Sequence, residues 1–350
     1  MDRREAQRTF TPAATPPSAN TASKAATVPL AGNRRPGFRY LKVEAAMNEG
    51  TVRWDPAKSL WFGSVAVAAL VLGPWTFTPG AGLLFALSTA VTLCLGHSVG
   101  IHRGLIHRSF RGPLWLERLL VYLGVLVGLG GPIGLLRMHE GRDREQNQPD
   151  CHDYFAHRRS PWVDYLWNLH CRFDFRKAPG VQARPAVEDD PFYRFLERTW
   201  RWQQLPWVVV LFLAGGLPFL VWATVVRIAV GTTGHWFVGY VCHRQGERRW
   251  HNRGAAVQGW NSRWLGALSM GEGWHNNHHA FPRSARLGLA PGEWDLGWVF
   301  LSLLARWGCI HGALTPKDAS ARAASTEEQS MKSKPASDMP SPLRCHTRPD

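Results

Sequence analysis

Four runs in this 350-residue chain contain no Asp, Glu, Lys or Arg: 59–78, 81–101, 205–226 and 228–242. They limit its possible folds more than any other feature. About 20 such residues cross a bilayer as a helix, and a helix in lipid satisfies its own backbone polar groups. Thr78, Pro79 and Gly80 form a turn signal between the first two runs, which read as a helical hairpin. A lone Arg227 separates the other two, and Gly215, Gly216 and Pro218 offer a reversal. These make a second, tighter hairpin, with crossings expected at 205–220 and 222–242. The run 119–136 is apolar but holds five glycines and Pro132. It is read as an embedded or re-entrant helix, since a crossing there would separate the histidine clusters onto opposite sides. The fold class expected is all-α, a polytopic membrane helical bundle of two transmembrane hairpins.

Charge orients this bundle. Lys and Arg number 41 against 26 Asp and Glu, a formal net charge of +15. Much of the excess lies between the hairpins, from Arg103 and Arg108 to Arg172 and Arg176. Cytoplasmic loops carry such a bias. With an even number of crossings, both termini fall on that side as well. The basic character is thereby explained, and no nucleic-acid partner is expected. The six cysteines form no C-x-x-C pair, which argues against a disulfide framework and for reduced thiols. Residues 1–40 and 314–350 lack apolar periodicity and are expected to be disordered tails, flanking a membrane domain at 55–310. The N-terminus has no early apolar run like a signal peptide.

Histidines collect where the apolar runs end. In GEGWHNNHHAFP, residues 271–282, His275, His278 and His279 have the spacing H-x-x-H-H. On a helix these share one face, and three imidazoles there can converge on a single metal. HSVGIHRGLIHR closes the second run with His97, His102 and His107. A spacing of five sets side chains far apart around an α-helix, so His102 and His107 flank one site only if the helix ends or bends, as Gly104 allows. His97 lies deeper and is read as a buried, hydrogen-bonded histidine. In RMHEGRDREQNQPDCHDYFAH, His139 and Asp143 are one helical turn apart, and carboxylate is an acceptable iron ligand beside imidazole. The other reading of Asp143 is a solvated charged helix. His152 and His157 follow beyond Pro149. His243 ends the fourth run and is a ligand candidate, whereas His235, two turns inside, is read as a core or supporting histidine. The whole describes a histidine-rich metal-binding region capping the bundle.

With these motifs in place, the chain resembles the membrane fatty-acid desaturases, and most closely the acyl-CoA desaturase type. HRGLIHRSF at 102–110 is similar to that family's first histidine box, and WHNNHHAFP at 274–282 to its third. The segment 224–246 resembles its last transmembrane helix. The resemblance implies a non-haem di-iron centre ligated by His102, His107, His139, His243, His275, His278 and His279. It also implies O2 as oxidant, a separate electron-donor protein, and a double bond placed in a long acyl chain (acyl-CoA or lipid-linked), often at Δ9. The chain departs from the family at two places. The second box, H-x-x-H-H in the family, reads His139-Glu140-Gly141-Arg142-Asp143, so one histidine remains, and Asp143 is expected to stand in for a missing one. Where the family has an asparagine four residues before the equivalent of His243, this chain has Gly239. A lipid hydroxylase, a sphingolipid-type desaturase and an inactive scaffold or sensor are the alternative functions on the same scaffold.

Overall fold

Helix α1, Pro56–Trp75, begins where Asp55 accepts hydrogen bonds from the Ala57 and Lys58 amides, with Pro56 in the first turn; both are helix-start signals. Thr78 caps α2 in the same way through the Ala81 amide. This helix runs Pro79–Ile106 and changes character midway, being α-helical over Pro79–Ala90 and π-helical over Val91–Ile106. The computed structural model describes residues 39–40, 50–176, 181–182, 185–317 and 326–328, all within the compact unit Arg34–Asp350. Most of the two expected tails lies outside these residues. Their described parts are ordered: Arg39–Tyr40 and Thr326–Glu328 pair as short strands with Val181–Gln182 and Trp250–Asn252, and the Leu314 amide donates to the Ser109 carbonyl. Backbone hydrogen bonding of this kind needs no apolar periodicity.

Helix α3, Leu114–Val125, packs against α2 backbone to backbone. A Cβ on Gly96 would sit 2.3 Å from the Gly124 nitrogen, and one on Gly100 would sit 2.5 Å from the Leu120 carbonyl. Only glycine permits that approach. The run 119–136 is therefore not one embedded helix. It ends α3, turns through Gly128 at φ +85°, and restarts as α4, Pro132–Gln146. The Glu197 carboxylate, on α6 (Pro191–Thr199), accepts from the Ile133 and Gly134 amides. An acidic side chain at a helix start offsets its unpaired amides, and here it fixes the helix that carries His139. Between them lies α5, Pro161–His170.

The long apolar helix α7, Trp202–Cys242, breaks at Gly215 and Gly216, the latter at φ +66° and ψ −156°. The chain reverses there. Arg227 Nη2 donates to Gln204 Oε1 at 3.0 Å, although 23 residues of straight helix would separate them by roughly 35 Å. Arg227 Nη1 and Gln204 Nε2 both donate to the Leu126 carbonyl, so the lone arginine of the apolar run ties this hairpin to the end of α3. Among the described residues, α1, α2 and α7 are the three helices long and apolar enough to cross a membrane. Their outer faces leave large apolar side chains uncovered, Leu70 at 77 % and Leu213 at 79 % exposure, as a lipid-facing surface would. Three short helices follow: α8, Arg263–Leu268, α9, His275–Ala280, and α10, Leu296–Arg306. Residues Leu301 and Leu304 of α10 join Val99, Leu116 and Leu120 in one apolar cluster against α2 and α3.

Candidate metal centre

Two histidine groups lie side by side at one end of the bundle. His102, His107, His139 and His278 form the first, and His243, His275 and His279 the second; within each group the nearest ring nitrogens all lie within 4.8 Å of one another. In the second group the three Nε2 atoms are 3.1, 3.1 and 3.3 Å apart. Nitrogens about 2.1 Å from a shared metal in tetrahedral geometry have much the same spacing. Burial, with neighbouring histidines adding to it, holds His243, His275 and His278 well below the ordinary imidazole range. All three are therefore neutral at physiological pH, the form that binds metal. His243 Nδ1 faces the Gly239 carbonyl at 2.7 Å. That contact puts the proton on Nδ1 and leaves the Nε2 lone pair directed into the group. The donor set fits a pair of transition-metal positions.

The π-helix explains the first box. Its i→i+5 bonding brings every fifth residue back to one face, and the His107 amide donates to the His102 carbonyl at 3.0 Å. The two rings meet at 4.7 Å, with the helix ending at Ile106 and His107 standing at its C-cap.

The third box differs from the convergence expected of it. Helix α9 divides its histidines, sending His278 to the first group and His275 with His279 to the second. The intervening asparagines hold it in place. Asn276 Oδ1 accepts from the Arg249 and Trp250 amides, and its Nδ2 donates to the Trp250 and Gly259 carbonyls. Asn277 Nδ2 donates to the Leu287 carbonyl and to Glu293. A six-residue helix has little stability of its own, so these side chains fix its orientation.

Glu272 is a further part of the site that the motif reading passed over. Its Oε2 lies 2.6 Å from His102 Nδ1, and Ser98 donates to its Oε1 at 2.5 Å. Burial alone would raise this carboxyl. The hydrogen bonds from the His102 ring and Ser98, with the nearby Arg103 guanidinium, outweigh burial and hold it below the usual carboxylate range. Arg103 in turn donates to Asp295 at 2.8 Å, with both side chains almost fully buried. His157, left without a role by sequence, is 1 % exposed. Its Nδ1 meets Asp164 at 2.9 Å, and its ring is nearly parallel to that of His243 at 5.2 Å. Its Nε2 lies 3.5 Å from where a Cβ on Gly239 would be, so it borders the space a side chain there would enter. Asp164 Oδ1 also accepts from Trp236 Nε1 at 2.8 Å, a partner far off in sequence that motif reading does not reach.

A cavity of about 490 Å³ runs beneath both groups, walled by α2, α4, α7 and α8. Asp143 is buried in its wall and belongs to neither histidine group. Arg142 lies beside it, with Nη2 on Asn168. His152 caps the short turn at Tyr154 and packs on Phe173, away from the cavity lining. His97 and His235 face the cavity and touch each other at 4.8 Å.

Fold and site together define a membrane-embedded helical protein with a buried polyhistidine metal-binding region. Residues 73–291 match the fatty acid desaturase family, and the chain belongs to that family. It is 33 % identical over 284 residues to a palmitoyl-monogalactosyldiacylglycerol delta-7 desaturase of Arabidopsis thaliana, covering 77 % of this chain and 74 % of that one. To an sn-2 palmitoyl-lipid 9-desaturase of Nostoc sp. it is 32 % identical, covering 75 % and 90 %. To an acyl-CoA C20 Delta5-desaturase of Anemone leveillei it is 31 % identical, covering 74 % and 81 %. The chain is accordingly an oxidoreductase acting on fatty acyl chains.

Proposed function

We propose that this protein inserts a double bond, at Δ9, into a long acyl chain presented as acyl-CoA or lipid, using O2 and electrons from a separate donor protein, with one iron at each histidine group. The observation carrying this reading is the cavity, which places both groups over a largely apolar channel. Bound at these groups, iron would supply the redox chemistry needed to attack an unactivated methylene, which no side chain provides. The protein's own residues orient and enclose. Glu272 and the Gly239 carbonyl fix the His102 and His243 rings. The apolar walls exclude water and set which carbons lie beneath the groups. Asp143, one turn from His139 on α4, is the carboxylate proposed to join the first group. The arginine-rich segment between the hairpins supports a cytoplasmic location for both termini and the histidine groups.

Purified protein should hold two irons per chain. His278→Ala should lower iron at the first group, and His275→Ala at the second. Expression in a host lacking desaturases should add monounsaturated chains to its lipids, read by mass spectrometry. Full iron and full turnover in both variants would refute the site. Hydroxylated products without new double bonds would assign the hydroxylase alternative. Reporters at positions 79 and 320 should fall on opposite sides of the membrane.

A further inference from the structure

The cavity wall carries polar groups at a depth where a hydrocarbon chain could not use them. His97 lies five residues before His102, on the same face of the π-helix, and belongs to neither histidine group. His235 faces it from α7, with ring centroids 4.8 Å apart and planes at 88°. Eight residues separate His235 from His243, about 12 Å of helix. The Nδ1 of His97 is buried with no hydrogen-bond partner, and so is the hydroxyl of Thr89, lower on the same wall. Threonine in a helix usually turns its hydroxyl back to its own backbone. Thr92 and Thr232 do so, bonding the Ser88 and Ile228 carbonyls. Thr89 does not.

The His97 and His235 rings line the cavity, whereas His97 Nδ1 and the Thr89 hydroxyl are already shut off from water. A plain acyl chain threaded past the two rings would exclude water from their remaining nitrogens and give nothing in return. A buried polar group left unsatisfied costs binding energy. A hydroxyl on the chain both donates and accepts, so it matches an imidazole nitrogen in either tautomer. We propose that the cavity is built for an acyl chain bearing a hydroxyl group on the stretch that faces His97 and His235. The inference takes from the proposed function only that an acyl chain occupies the cavity. A site that hydrogen-bonds a substrate hydroxyl discriminates strongly against the analogue lacking it.

Binding tests this apart from catalysis. Stearoyl-CoA and a positional series of monohydroxystearoyl-CoA thioesters would be titrated into the purified iron-loaded protein, with products analysed in parallel. One isomer, or two adjacent ones, should bind at least about ten-fold more tightly than stearoyl-CoA, a difference of about 1.4 kcal/mol. His97→Leu and His235→Leu should each remove that preference, and His97→Gln should keep part of it. Iron content reports whether each variant retains its fold. Should one of the leucine variants fail to fold, the other leucine variant and the milder His235→Gln, which should keep part of the preference, carry the test. Equal binding of stearoyl-CoA and every isomer by the native protein would overturn the inference, as would a preference that survives both leucine variants. Tight, position-dependent binding with both chains left saturated would retire the desaturase reading and keep this one. Turnover of stearoyl-CoA with no preference in binding would do the reverse.

Discussion

Glu272 Oε2 stands 2.6 Å from His102 Nδ1, so a carboxylate three residues before His275 orients a ring of the first box from the far side of the chain. Ligand histidines commonly rest on such a partner, and its loss typically costs 10–100-fold in metal affinity. Glu272→Gln should therefore weaken iron binding at the first group by that factor and leave the second group loaded, as read by metal titration. Unchanged affinity would show that the contact does not orient His102.

The Arg103–Asp295 pair lies just beneath this contact, with side chains 1 % and 3 % exposed. Breaking a buried pair from one side strands a charge and typically costs about 3–5 kcal/mol. Asp295 also accepts from the Leu287, Gly288 and Trp298 amides. Asp295→Ala should therefore destabilise the protein by at least that amount, measured by thermal unfolding in detergent. A loss under about 1 kcal/mol would place the pair among weak ones.

Gly239 separates two substitutions. A Cβ there would meet His157 Nε2 at 3.5 Å and Arg142 Nη1 at 3.9 Å, ordinary contacts. Gly239→Ala should keep both irons. Gly239→Leu would force the His157 ring aside and should perturb the second group, visible as altered Mössbauer parameters for one iron of the two. Identical spectra for the alanine and leucine variants would show that this space is not confined.

Glu145 provides a pH signature remote from the histidine groups. Both its carboxylate oxygens are buried without a hydrogen-bond partner, and burial raises its pKa from 4.5 to about 6. A carboxyl raised on folding binds its proton more tightly in the native state, so stability falls as pH climbs from 4.5 to about 6. The loss is on the order of 2 kcal/mol. Glu145→Gln should flatten that slope. An equal slope in native protein and variant would assign the dependence elsewhere.

The sequence made the bundle legible because membrane helices announce themselves by composition alone, and the reversal at Gly215 and Gly216 by residues that tolerate it. The histidine boxes were legible because their ligands sit at short, fixed spacings. Their grouping was not. The route by which His278 parts from His275 and His279 depends on what packs behind α9. The meeting of His102 with His107 depends on a helix type that spacing on an α-helix argues against. Glu272 was in plain view beside the third box, yet its partner is 170 residues away, a relation that no local pattern encodes. The 119–136 run misled because its apolar character masks the backbone turn at Gly128, whose carbonyl accepts from Trp61.

The i→i+5 register of Val91–Ile106 sets His97 and His102 in one file along a side of α2, continued by His107 at its C-cap. The cavity wall and the metal-facing imidazoles thus share one frame of reference. Substitutions along that file change one position at a time. Insertion or deletion of a single residue between 97 and 107 would instead rotate everything on one side of it, swinging either the metal-facing rings or the cavity wall toward lipid. The length of this stretch is thus as much a requirement of the site as the histidines themselves.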